Sequence, residues 1–399
     1  MQGACYTGGV NPPELRVALF SGNYNYVRDG ANQALNKLVD YLERHDVIVR
    51  VYSPTSDRPA FEPAGTLISV PSIRIPGRSE YRYALPLSAD TRRDLEAFAP
   101  TLVHLSAPDS LGSSVKKWAK GAGVPVVASV HTRFETYFAF YGLGWVRRWA
   151  ERHLRRFYGD LAEIYATSEG FAEVLREQGM SQRIRVWSRG IDRVRFHPGR
   201  RNLAWRARLG IAADEPTIAF VGRLVLEKGL DVVAATMAEL TRREVPHRLL
   251  VVGDGPARAK FAGQVPEAVF TGFLGGDALP RAYASADMMI NPSTTETFGN
   301  VTLEAMACGL PVIAARATGN DCLVDSGVTG TLVPPGDAAR FADAIQALID
   351  DPARGAAEGK AGCARAAGYD WDAINGELLG HYRAVVANFG ASPILGGPA

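Results

Sequence analysis

Two carboxylates, Glu296 and Glu304, stand with seven residues between them in the stretch ETFGNVTLEAMACGLPVIAA, and a helix start falls in the gap. The run DMMINPS (287–293) reads as a short strand, after which the chain turns through TTETFGN and enters a helix near Asn300 or Val301. The first turn of a helix has N–H groups without intrahelical acceptors, so Gly299, Asn300 and Val301 would offer an anion site aided by the helix dipole. Glycine at 299 lets a ligand come close to the backbone. Glu304 lies about one turn further on, roughly 5–6 Å along the axis. A carboxylate that close to a phosphate is repelled unless it meets hydroxyl groups, and the ribose of a nucleotide diphosphate carries two. Glu296, ahead of the helix, would then face whatever lies on the other side of the phosphates, a sugar. The competing reading is a helix-start acid and an unrelated solvated acid.

The segment GRLVLEKG (222–229) weighs against that competitor. Arg223 and Lys228 follow a buried strand on its carboxyl-end side. Arginine can fork two phosphate oxygens and lysine acts as a point charge, so the two suit a diphosphate. Taken alone, they fit equally well as solvated surface cations. His131 ends the strand VPVVASVH (124–131) at its carboxyl end. It could donate to a sugar hydroxyl or move a proton near neutral pH, or it could be a structural strand-end histidine. A dehydrogenase is disfavoured. SGNYNYVRDG and VGRLVLEKG lack the Gly-x-Gly-x-x-Gly turn, and VVGDGPAR lacks its third glycine. No metal and no cofactor are expected, because Arg, Lys and helix amides can do the electrostatic work that a metal does elsewhere.

These groups need elements to hold them. LRVALFSGNY (15–24), VIVRVYSP (47–54), TLVHLS (101–106) and VPVVASVH read as buried strands, with a helical pattern over 30–46. Strands alternating with helices imply parallel strands and right-handed crossovers. The pattern restarts at TIAFVGRL (217–224) and continues through a helix over 231–244 and the strands HRLLVVGDG, AVFTGFL, ADMMINPS, LPVIAA and GTLVPP. The expected fold is α/β: a first doubly wound domain over 1–193, a linker rich in Pro, Gly and Arg over 194–210, and a second doubly wound domain over 211–370. A last helix over 371–389 is expected to pack back on the first domain. Two such domains facing each other across a cleft could hold two substrates, with ligands at the carboxyl ends of the strands.

The bulk composition excludes several classes. The 399 residues are 47% hydrophobic and 22% charged, far from a disordered chain. The net charge is +2, which argues against a nucleic-acid binder. The charge is uneven, with 26 Lys and Arg against 20 Asp and Glu through residue 195 and 18 against 22 beyond it. That hints at a first half facing something anionic, though chance imbalance explains it equally well. Cys5, Cys308, Cys322 and Cys363 form no Cys-x-x-Cys pair, so neither a zinc site nor a disulfide framework is indicated. A reducing cytosol fits. No apolar run is long enough to span a bilayer, and no secretory leader is visible.

With these motifs in order, the sequence resembles the retaining family 4 glycosyltransferases, which have the GT-B fold. ETFGNVTLEAMACGLPVIA resembles their Glu-x7-Glu signature and GRLVLEKG their donor-phosphate motif. RGIDRVRFHP (189–198) is similar to their interdomain segment. The resemblance implies that Glu296 contacts the donor sugar on the face where transfer occurs. Phe298, Gly299 and Asn300 would present amides to sugar and diphosphate, and Glu304 would bind the ribose. Arg223 and Lys228 would hold the diphosphate, and Thr271, Gly272 and Phe273 would lie where the base is held. His131 would touch the donor sugar. A loop at Gly22 and Gly30 would close over the phosphates, although the family's paired glycines are replaced here by Gly-Asn at 22–23 and Asp-Gly at 29–30.

Within HTRFETYFAFYGLGWVRRWAERHLRRFYG (131–159), the opening HTRFETYFAFYG resembles the glycolipid-synthesising branch of the family. Its first part carries Arg133, Tyr137 and Tyr141. Its second reads as a helix with Arg147, Arg148, Arg152, Arg155 and Arg156 beside Trp145 and Trp149, a pattern suited to an anionic bilayer surface or simply to an amphipathic helix with a solvated basic side. The resulting expectation is a retaining hexosyltransferase, peripheral at the cytoplasmic face of the inner membrane. It would take a nucleotide-diphosphate sugar, with UDP favoured over GDP-mannose, and transfer to a lipid hydroxyl such as that of diacylglycerol. The alternatives are a soluble sugar or polysaccharide acceptor, a nucleotide-sugar epimerase and a non-catalytic nucleotide-sugar-binding protein.

Overall fold

The computed structural model describes residues 14–27, 29–75, 78–131 and 147–391. Its contacts group the chain into two compact units, one of 1–129, 161–163 and 375–399, the other of 130–160 and 164–374.

The first unit is built on parallel strands β1 (Arg16–Phe20), β2 (Ile48–Ser53), β3 (Thr66–Ser69), β6 (Leu102–Leu105) and β7 (Val126–Val130), in the order β3-β2-β1-β6-β7. β1, β6 and β7 are nearly continuous apolar runs, as strands covered on both faces must be. The helix Gly30–Arg44 starts at Asp29, whose side chain caps the amide of Asn32 at 2.8 Å. It turns Ala34, Leu35, Leu38, Val39 and Leu42 inward at helical spacing. A short antiparallel pair, β4 (Ser72–Ile75) and β5 (Arg78–Ala84), was not expected from the sequence. The closing helix Trp371–Ala391 reaches this unit at Asn375, which donates to the Lys37 carbonyl, and the Tyr382 hydroxyl meets buried His104.

The second unit contains the parallel pair β8 (Glu163–Ala166) and β9 (Ile184–Val186) and a six-stranded sheet. The sheet's strands are β10 (Thr217–Val221), β11 (Arg248–Val252), β12 (Val269–Gly272), β13 (Met288–Asn291), β14 (Val312–Ala315) and β15 (Gly330–Val333). They are all parallel and run β12-β11-β10-β13-β14-β15, the doubly wound order. One face is covered by the helices Leu230–Arg242 and Ala338–Asp350. Their buried Val233, Met237, Leu240, Phe341, Ile345 and Leu348 form one core with Ile218, Phe220, Val251 and Ile313. The stretch 194–210 is anchored in this unit. Its Arg206 is fully buried and binds Asp287 and the carbonyls of Ala212 and Glu215.

Candidate active site

In the six-stranded sheet the strand order reverses between β10 and β13, and a ligand crevice is expected outside the carboxyl ends of those two strands. Both chemistry-bearing segments emerge there. Residues 222–229 follow β10, and 292–299 follow β13. Lys228 and Glu296, one from each loop, form an ion pair with Nζ 2.5 Å from Oε1. The side chains are 29% and 15% exposed, so the pair is only partly screened by water. Lys228 ends a single 3-10 turn, Leu226–Lys228. Arg223 lies exposed two residues beyond β10, and its carbonyl accepts from the Val225 amide.

The loop carrying Glu296 is held by its backbone. The Glu296 carbonyl accepts from the Gly319 amide at 2.9 Å. A Cβ at Gly319 would lie 2.8 Å from the Glu296 oxygen and from the backbone of Phe298, so only glycine permits the contact. The Phe298 side chain is buried edge-on against Tyr369 at 5.8 Å. Gly299 has φ 96°, a left-handed conformation that favours glycine, and starts the helix Asn300–Ala307 with no side-chain cap. Uncapped first-turn amides at this place are what an anion site requires. Beneath the helix start, buried Asn320 accepts from Asn291 at 3.2 Å and Thr302 at 3.0 Å, fixing the end of β13 to the first turn.

Glu304 lies one turn into that helix, as its spacing requires. It is partly buried and accepts from the Tyr283 hydroxyl at 2.8 Å. Burial lifts its pKa from 4.5 to about 7, against the opposing effects of the Tyr283 hydrogen bond and the attraction of Arg195. Further along the sheet, Gly272 ends β12 with φ 74° and Phe273 is 68% exposed. The Gly253 amide donates to the Gly272 carbonyl, and the Leu224 amide to the Asp254 carbonyl, linking the loops after β10, β11 and β12.

His131 belongs to this unit. Its carbonyl accepts from Thr297 Oγ1 at 2.9 Å, and its Nδ1 lies 2.6 Å from Arg189 Nη2. The Thr297 carbonyl in turn accepts from the hydroxyls of Thr167 and Ser168, which follow β8. Gly22 lies in the first unit just after β1, and its carbonyl accepts from the Tyr26 hydroxyl at 2.7 Å. The helix Arg147–Tyr158 turns Ala150, Leu154 and Phe157 inward and exposes Arg148, Trp149, Arg152 and Arg156. Trp149 is 69% exposed and stacks on His153. Arg155 is also exposed, but its Nε is engaged by the Gln178 carbonyl at 2.7 Å. Arg133, Tyr137, Tyr141 and Trp145 lie outside the described residues, as do the contacts of the Arg147 side chain.

Within the second unit, then, the structure joins Lys228 to Glu296 and sets Glu304 in the same helix as the uncapped amides. The sequence reading missed Tyr283, Arg189, Thr297, Gly319 and Asn320. Each acts through a contact distant in sequence. The one signal available was that Arg189 follows β9 at its carboxyl end.

The chain thus carries a doubly wound sheet with a paired cation and acid at its switch point, beside an uncapped helix start. Comparisons with known proteins give its family. Residues 28–195 match the model of Glycosyltransferase Family 4, and 215–351 that of Glycosyl transferases group 1. The chain is 35% identical over 382 residues to a GDP-mannose-dependent alpha-mannosyltransferase of Mycobacterium tuberculosis, covering 93% of this chain and 97% of that one. It is 31% identical over 375 residues to a sulfoquinovosyl transferase of Arabidopsis thaliana, covering 91% and 72%. In structure it is similar to sucrose-phosphate synthase from Thermosynechococcus elongatus, with TM-score 0.76, 23% identity and coverage of 94% and 100%. The fold is GT-B, with two Rossmann-like domains. The chain belongs to the family 4 glycosyltransferases and is a glycosyltransferase that uses a nucleotide-sugar donor. Among the described residues, no helix is long and apolar enough to cross a membrane.

Proposed function

We propose that the chain transfers a hexosyl unit from a nucleotide-diphosphate sugar to a hydroxyl of a membrane lipid, with retention of anomeric configuration and without a metal. The observation that carries this reading is the Lys228–Glu296 pair, set beside the uncapped start of the helix Asn300–Ala307. The diphosphate takes the amides of Gly299, Asn300 and Val301 together with Arg223 and Lys228. Glu304 takes the ribose hydroxyls, Gly272 and Phe273 hold the base, and Glu296 and His131 face the donor sugar. The donor favoured is GDP-mannose rather than the UDP sugar expected from the sequence, because the likeness to the mannosyltransferase extends over nearly the whole chain.

The bond between the anomeric carbon and the phosphate oxygen breaks. A new bond to the acceptor oxygen forms on the same face, and the acceptor's proton passes to the departing phosphate oxygen. Arg223, Lys228 and the helix amides stabilise the charge that develops there. Glu296 is held by a lysine ammonium, which makes it a poor nucleophile and favours this route over a covalent intermediate. The lipid acceptor is supported by the exposed Arg148, Trp149, Arg152 and Arg156 of the helix Arg147–Tyr158, an interfacial combination suited to an anionic surface. The chain would act as a peripheral protein there.

The test is a panel of nucleotide sugars incubated with a lipid extract and read by mass spectrometry. A hexosylated lipid formed from GDP-mannose is the expected product. Transfer only to water-soluble sugars, or release of nucleotide with no glycoside formed, would overturn the acceptor assignment.

A further inference from the structure

Arg189 determines more about His131 than its position. Arg189 is 3% exposed. Its Nη1 donates to the carbonyls of Trp187 and Ser188, each at 3.0 Å, and its Nη2 reaches His131 Nδ1 at 2.6 Å. Its plane also lies over the Trp187 ring at 4.8 Å, and that ring meets His131 edge-on at 5.7 Å. A guanidinium has donors only. Burial pushes its pKa down to about 9, which leaves it charged at neutral pH. The Nδ1 atom must therefore accept, and a neutral ring then carries its proton on Nε2. Protonating Nδ1 would set one N–H against another and place a second cation beside a buried one.

We infer that Arg189 is a positioning residue that locks His131 as the neutral Nε2–H tautomer, so that the ring acts on the donor sugar as a hydrogen-bond donor and never as a general base. The inference rests on the reading of His131 as a sugar contact. In this tautomer neither ring nitrogen keeps a lone pair for the acceptor's proton. The Nδ1 pair is occupied by Arg189, and the Nε2 pair belongs to the aromatic system. That agrees with a mechanism in which the proton leaves on the diphosphate. The ring is also fixed in place by its backbone, since the His131 carbonyl is bound by Thr297, the neighbour of Glu296.

The experiment is long-range proton–nitrogen NMR on the full chain labelled with 15N-histidine. The signals of His131 are identified by their loss in His131→Asn. At pH 7 the parent is expected to show a protonated Nε2 and an unprotonated Nδ1. A protonated Nδ1, alone or in an imidazolium, would overturn the inference, and this measurement needs no folded Arg189 variant. Arg189→Lys, which keeps a donor, is expected to preserve the tautomer and most of the turnover. Arg189→Met is expected to mix the tautomers and lower kcat by about tenfold, with little change in donor KM. Loss of turnover in Arg189→Met with the tautomer unchanged would reduce Arg189 to a structural role and overturn the inference. A His131→Ala variant with parental turnover would instead remove His131 from the sugar site, and the spectrum would still decide whether Arg189 sets the tautomer.

Discussion

Glu304 gives a quantitative prediction because its ionisation is unusual and its proposed ligand prefers one form. In the free protein, burial raises its pKa to about 7. Ribose hydroxyls donating to the carboxylate favour the charged form, so donor binding must lower that pKa and expel a proton. Affinity therefore rises with pH. With a free-state pKa near 7, about a tenth of the molecules carry ionised Glu304 at pH 6 and about nine tenths at pH 8. The dissociation constant for a nucleotide sugar should thus fall about tenfold between these values, or about 1.4 kcal/mol. Calorimetric titration at pH 6 and pH 8, in two buffers of different ionisation enthalpy, reads both the affinity and the proton released. Glu304→Gln keeps the shape and a hydrogen-bond acceptor for Tyr283 and should show a flat profile with no proton release. A flat profile in the parent, or the same slope in the variant, would refute the reasoning.

The same raised pKa affects stability. A carboxyl group whose folded pKa exceeds its unfolded value contributes stability that is complete below about pH 4.5 and is lost as pH rises through about 7, so Glu304→Gln should be more stable than the parent at pH 8 by about 3 kcal/mol, read by denaturant titration. Lys228→Ala leaves Glu296 without its cation and removes a leaving-group partner, so kcat should fall by roughly 10²–10³ while the circular dichroism spectrum is preserved. Gly319→Ala inserts a methyl group 2.8 Å from the backbone of Glu296 and Phe298; the loop must move, and turnover should fall at least about tenfold with the sheet intact. Reversing Arg148 and Arg152 to Glu together with Trp149→Ala should abolish flotation with anionic vesicles, each reversed charge removing an attraction of about 1 kcal/mol, without changing affinity for the donor.

What the sequence made legible was whatever lies along one element. Glu296, Gly299, Asn300 and Glu304 follow one another through a turn into a helix, so their spacing determines their geometry. β10, β11, β13 and β14 were legible because each is a mostly apolar run between turn residues. β3, β8 and β9 were harder to read. β9 is only three residues long, β8 (EIYA) is a four-residue run of mixed polarity, and β3 lies half-exposed at a sheet edge. The partnerships were not legible at all. Lys228 and Glu296 are 68 residues apart, His131 and Arg189 58, and Tyr283 and Glu304 21. Residue type suggested Lys228 as a phosphate ligand, but only the fold shows that it pairs with Glu296. In sequence, Trp149 is simply one residue of an aromatic and basic stretch. Its helix turns Leu154 and Phe157 inward and leaves Trp149 among the arginines.

The proposed mechanism requires a diphosphate gripped at the start of the helix Asn300–Ala307 by amides, Arg223 and Lys228. The most direct test compares the binding of GDP and GMP to the parent and to a folded Arg223→Ala/Lys228→Ala variant. The parent should hold GDP far more tightly than GMP, and that difference should collapse in the variant. An undiminished preference for GDP in the variant would mean that the second phosphate is bound elsewhere, and the proposed site would be wrong.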